Sequence, residues 1–212
     1  MSLYHKEEIS NKIAEYLLKE QAVTFHTNKL ITWASGIKSP IYCDNRVLLS
    51  NHRARTFVRQ AISDFITEEM GSVNAIVGVA TGGIAHGILV AQALELPFAY
   101  VRPTAKEHGK QNNIEGRLNA NDRVVIIEDL ISTAKSTINV FNILKENNFH
   151  VAGIVSIFSY LLPISKNVLE STNCICHSLC DYNTLINTAQ RLDKITAEDY
   201  EILTKWKASI CQ

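Results

Sequence analysis

The chain has no apolar run long enough to cross a bilayer as a helix, so no membrane partner is expected. It also has no excess of one charge. The 21 Lys and Arg balance 21 Asp and Glu, and with no helix-turn-helix or basic patch in view, nucleic acid is not an expected partner. No internal repeat, low-complexity tract or long linker is present, which argues against a solenoid or a string of domains. The polar N-terminal segment lacks the apolar stretch of a signal peptide. Five cysteines, an odd number without a regular framework, suit a reducing cytoplasm better than an oxidising compartment. Cys174, Cys176 and Cys180 with His177 fit none of the usual zinc spacings and are expected to be small buried residues on or beside a strand. Two nucleotide-binding signatures are missing as well: neither the lysine of Gly-x-x-x-x-Gly-Lys-Ser/Thr nor the spacing of Gly-x-Gly-x-x-Gly occurs.

What remains is a globular composition, 46% hydrophobic and 20% charged over 212 residues, enough for one sizeable core with a small appendage. Apolar residues at helical spacing predict helices over Glu7 to Glu20 and Arg53 to Met70, the second ended by Gly71. Between them, Val23 to Asn45 has strand-like residues broken at Ser35-Gly36 and Ser39-Pro40. Ala75 to Val79 predicts a strand that runs through Ala80-Thr81-Gly82-Gly83 into a helix. A turn of that kind can bring backbone N–H groups, as at Thr81 and Gly82, close to an anion. Phe98 to Val101 predicts a short strand, and 102–117 an exposed, mobile cationic loop or hairpin. A helix over Ser136 to Asn147, a strand over Val151 to Phe158, a weakly patterned stretch to Asp193 and a helix capped near Thr196 and Asp199 complete the reading. The alternation of strand and helix from Ala75 to Phe158 predicts an α/β fold with a parallel sheet flanked by helices. The core is expected over about 51–180, with a small hood built mainly from residues 1–50 and a possible C-terminal contribution.

The most informative stretch is Arg123 to Thr137. Val124-Val125-Ile126-Ile127 reads as a strand buried on both faces. Glu128 and Asp129 stand where it is expected to emerge, followed by Ser132, Thr133, Ser136 and Thr137 at the start of a helix. An acid and a helix cap after a buried strand are common structural features. Paired acids followed by four hydroxyls are more specific. Carboxylates suit sugar hydroxyls, and a donor-rich helix start suits a phosphate.

This segment resembles the 5-phosphoribosyl-1-pyrophosphate (PRPP) motif of type I phosphoribosyltransferases. The Gly78 to Gly83 turn and the Arg102/Lys106/His108 loop occur in the order that family has. Ser35 to Arg46, Ala105 to Gly109, Ile157 to Tyr160 and Asp181 to Leu185 extend the likeness to orotate phosphoribosyltransferases over nearly the whole chain. The resemblance implies transfer of a phosphoribosyl group from PRPP to orotate, giving orotidine 5′-monophosphate and pyrophosphate in de novo pyrimidine synthesis. It further implies a cytoplasmic homodimer with shared active sites, and Mg2+ held mainly by PRPP, with no side chain assigned as a direct ligand. Lys106, His108 and Asp129 are the implied catalytic residues. PRPP is implied to meet Arg102, Lys106, His108, Glu128, Asp129, Thr81, Gly82 and Ser132-Thr133-Ala134-Lys135-Ser136-Thr137. Orotate is implied to meet Lys38, Tyr42 and Ser132. The chain departs from the family in four places. Ala134-Lys135 stands where relatives usually have one or two glycines, Ala34 replaces a lysine, Pro103 follows Arg102 where others often carry a further lysine, and no arginine follows Phe158 to grip the orotate carboxylate. A PRPP-binding regulator and transfer to another base are the competing readings.

Overall fold

The computed structural model of the chain describes residues 6–102 and 113–210. Helix α1 (Lys6–Lys19) leads into four short strands, β1 (Val23–Phe25), β2 (Ile31–Thr32), β3 (Lys38–Ser39) and β4 (Ile41–Cys43), and a 3-10 turn, Asn45–Ser50. Strand β1 pairs antiparallel with β4 and β2 with β3. Gly36, at φ +86, makes the β2–β3 turn that Ser35-Gly36 signalled. Helix α2 (His52–Glu69) starts at Asn51, whose side chain accepts from Arg53 N and Ala54 N, and is followed by Gly71 at φ +62.

The rest alternates. Strand β5 (Ala75–Val79), α3 (Gly82–Ala93), β6 (Phe98–Val101), β7 (Ile114–Glu115), β8 (Arg123–Ile131), α4 (Lys135–Glu146), β9 (His150–Ser159), α5 (Pro163–Glu170), β10 (Ile175–Asp181), α6 (Tyr182–Arg191) and α7 (Ala197–Ile210) follow in that order. Six strands form one sheet, β10-β9-β8-β5-β6-β7, parallel except for β7. Its two faces bury separate cores. Val125 and Ile127 of β8 pack with α1, α2, α6 and α7 on one side, and Val124 and Ile126 pack with α4 on the other. This is the expected α/β architecture, and it explains the run of four β-branched residues: each successive side chain meets a different apolar layer.

Three expectations change. The weakly patterned stretch before Asp193 is regular structure; it contains α5, β10 and α6. Strand β10 is an edge strand with polar Ser178 and exposed Ile175, so its burial pattern is irregular. Asp181 caps α6 by accepting from Thr184 N at 2.9 Å, a signal present in the residues. The cysteines of this strand also differ from the expectation: Cys180 is buried, but Cys176 is exposed and Cys174 half-buried.

The third change concerns the acids. They do not lie beyond the strand; β8 continues through Glu128 and Asp129 to Ile131. Its neighbours end at different points. Pairing with β5 stops at Gly78↔Ile127, whereas pairing with β9 continues to Ile131↔Ser159. The last four residues of β8 therefore stand beside an open crevice on the β5 side, where ligands of such sheets bind.

Candidate active site

Because Glu128 and Asp129 are consecutive strand residues, they point to opposite faces. Glu128 turns toward α4. It is only 4% exposed, and its Oε2 accepts from Ser136 Oγ and Thr137 Oγ1, each at 3.1 Å. Its Oε1 accepts from Asp129 N at 3.1 Å. Burial, with the Asp129 carboxylate adding to it, pushes its pKa well above the ordinary carboxylate value. Asp129 turns the other way, half-exposed, against the start of α3. A Cβ on Gly82 would overlap the Asp129 carboxylate, and one on Gly83 would overlap the Ile127 carbonyl. These glycines are needed for close approach of helix to strand. Thr81 precedes them, exposed and with no side-chain cap bond, after a cis Ala80-Thr81 peptide.

The second strand-to-helix turn has no glycine. Ala134 adopts the left-handed conformation, φ 61 and ψ 11, and is 3% exposed within the core under α4. Ser132 and Thr133 are half-exposed, Lys135 and Ser136 exposed, and Thr137 fully buried. Lys135 is exposed at the first position of α4, and Ala134 O accepts the Ile138 N–H at 2.9 Å.

A small cavity of about 160 Å3 joins this turn to the N-terminal strands, lined by Trp33, Ala34, Ser35, Tyr42, Cys43, Leu130, Ser132 and Tyr160. Tyr42 and Ser132 thus line one cavity. Lys38 is not among the lining residues; it is exposed on β3, and its carbonyl accepts from Trp206 Nε1 at 2.8 Å. Arg46 forms a two-pronged pair with Asp44, at 2.7 and 2.8 Å. Arg102 sits at the end of β6, paired with Glu115 at 2.9 Å. Lys106 and His108 lie outside the described residues.

Several site residues were not singled out from the sequence. The Trp33 and Tyr160 rings, tilted at 42° with centroids 4.4 Å apart, wall the cavity, with Trp206 edge-on to Trp33 at 5.9 Å. Asn45, fully buried, donates from Nδ2 to the Asp129 carbonyl at 2.5 Å and so ties the N-terminal strands to β8. His86 of α3, 1% exposed, lies near Asp129; burial lowers its pKa to about 4, against the pull of that carboxylate. Asn45 and Tyr160 lie within stretches that carried the family likeness, whereas Trp33, Trp206 and His86 had no signal beyond their residue type.

A family model described as phosphoribosyl transferase domain matches residues 46–176. An orotate phosphoribosyltransferase of Listeria innocua is 44% identical over 199 residues, covering 94% of this chain and 95% of its own. The chain belongs to the orotate phosphoribosyltransferase family. A Staphylococcus haemolyticus member is 41% identical and is covered from end to end by 95% of this chain. Solved structures agree on the fold. An Aeropyrum pernix orotate phosphoribosyltransferase superposes with a TM-score of 0.75 at 24% identity, over 87% of this chain and 99% of its own. A Leishmania donovani UMP synthase gives 0.81 at 22% identity, over 94% of this chain and 42% of that longer one. The crevice over β5 and β8 and the Ala134 turn are therefore this family member's candidate active site.

Proposed function

We propose that the chain transfers the 5-phosphoribosyl group of PRPP to orotate, forming orotidine 5′-monophosphate and releasing pyrophosphate. The observation that carries this reading is the end of β8, where a half-exposed carboxylate, Asp129, stands at the crevice next to the hydroxyl-rich start of α4. In this reading Ser132, Thr133 and the first N–H groups of α4 hold the 5′-phosphate. Asp129 holds ribose hydroxyls, and its charge favours the cationic ribose of the transition state. Glu128 acts through the turn: its bonds to Ser136 and Thr137 set the position of the phosphate loop. The N–H groups at Thr81 and Gly82 face the pyrophosphate, with Arg102, Lys106 and His108 stabilising it as it leaves.

When bound with PRPP, magnesium supplies charge neutralisation on the departing pyrophosphate. The donor set fits that ion, since a half-exposed carboxylate is a hard oxygen donor and PRPP carries the remaining oxygens. The cavity walled by Trp33, Tyr42 and Tyr160 suits a flat ring such as orotate. We place the reaction in the cytoplasm and assign it to a homodimer with shared active sites.

The test is consumption of orotate with PRPP and magnesium, with uracil, hypoxanthine and nicotinate in parallel. Turnover on orotate alone is expected. Turnover on another base would overturn the base assignment, and PRPP binding without turnover on any base would favour a regulator. Lys106→Ala is expected to lower turnover far more than it weakens PRPP binding.

A further inference from the structure

The reaction makes no use of Cys174 and Cys176. Of the cysteines among the described residues, Cys43 and Cys180 are buried. Burial raises both thiols, Cys180 to about 12, as expected of inert core cysteines. The other two have different surroundings. Cys174 lies just before β10 and Cys176 is its second residue, whereas His177 turns to the other face and stacks on Phe65 at 4.1 Å. The Cys174 sulfur is 3.0 Å from Thr172 Oγ1, and the Cys176 sulfur is 3.8 Å from the same oxygen. Thr172 is itself fixed, donating to the Leu169 carbonyl at the end of α5 at 2.7 Å. The two sulfurs are thus held together around one anchored hydroxyl.

Access is available. Cys176 is exposed and borders a cavity of about 560 Å3 that runs between α5 and β10 to the carboxyl ends of β8 and β9, together with Ser159, Lys166 and Asp181.

We propose that Cys174 and Cys176 are a reactive vicinal dithiol that closes to an intrachain disulfide by exchange with a low-molecular-weight disulfide. The Cys174 thiolate attacks one sulfur of that disulfide. Its S–S bond breaks, a mixed disulfide forms on Cys174 and one small thiolate leaves. Cys176, after losing its proton to solvent, attacks the Cys174 sulfur and expels the second small thiolate. Two protein thiols are oxidised and one small disulfide is reduced, so the electrons balance. The division of labour follows the hydrogen bonds. The bond from Cys176, supported by Thr172 against the opposing effect of burial, holds Cys174 below the ordinary thiol value, and Cys176 is raised in return.

The full chain is incubated with glutathione disulfide near neutral pH, and the products are read by intact mass and peptide mapping. The expected product is lighter by about 2 Da and links Cys174 to Cys176. Cys176→Ser is expected to stop at the mixed disulfide on Cys174, and Cys174→Ser to react at least about tenfold more slowly. A link through Cys211, or a Cys174 that reacts no faster than Cys211, would overturn the proposal. Should a serine variant fail to fold, alkylation of the unaltered chain against pH decides the matter. The rate of Cys174 alkylation should reach half its maximum at a pH below the ordinary thiol range, and a half-maximum within that range would refute the assignment.

Discussion

The molecule enters its crevice by two strand-to-helix turns that look alike in outline and are built on different physics. The turn from β5 to α3 depends on glycine for proximity, because Gly82 and Gly83 have no room for a Cβ against Asp129 and Ile127. The turn from β8 to α4 reaches a left-handed conformation with an alanine, whose methyl is buried in the core under α4. The first turn cannot accept a side chain; the second has one that contributes to packing. Glycine at a ligand turn can therefore answer either of two needs, close approach or positive φ, and only the first excludes alanine outright.

The largest effect that would break this contrast is expected at Gly83→Ala. Its methyl meets a backbone carbonyl that has nowhere to move, so denaturant unfolding should show a loss of about 3 kcal/mol. Gly82→Ala meets a side chain instead, and should lose less stability. Displacing the Asp129 carboxylate should lower kcat about 100-fold, read from initial rates at saturating substrates. Equal destabilisation without loss of rate would mean that Asp129 has no reacting role.

The two turns should also titrate in opposite senses. His86, on the first helix, has a folded pKa of about 4 against an ordinary 6.5. The unfolded chain binds that proton more tightly, so the His86 contribution is present above 6.5 and lost as pH falls toward 4. Relative to His86→Asn, the wild type should lose about 3 kcal/mol over that fall. Glu128, behind the second turn, is raised above 4.5. The folded chain holds that proton more tightly, so stability is lost as pH rises from there. Relative to Glu128→Gln, the wild type should decline by up to about 1.4 kcal/mol per pH unit within the window. Unfolding midpoints at a series of pH values measure both.

The smallest effect is expected at Ala134→Gly. Release from the left-handed conformation gains about 1 kcal/mol, while loss of the buried methyl costs about 0.8 kcal/mol. Stability should shift by less than about 0.5 kcal/mol, with turnover retained. A large change in either would show that the alanine itself shapes the phosphate site.

Much of this was legible in the residues. The strand over Val124 to Ile127, the β5 and β6 boundaries and the caps at Gly71 and Thr196 follow from local chemistry. Thr196 Oγ1 accepts from Asp199 N at 3.1 Å and Asp199 accepts in return, as the spacing required. Strand β10 and helix α6 were harder to read because an edge strand is only partly buried and so lacks a clean pattern.

The sequence by itself determined the alternation of strand and helix from β5 to β9, the acid-and-hydroxyl segment at the end of β8 and the family, because periodicity, capping and motif spacing are local properties. Only the tertiary structure decided that Glu128 and Asp129 take different roles. The pleat sends adjacent side chains to opposite faces, and α4 happens to cover one of them while the shorter β5 leaves the other open. The same holds for the cavity wall. Trp33, Tyr160 and Trp206 meet because β2, β9 and α7 converge, and contacts over such separations leave no periodic trace along the chain.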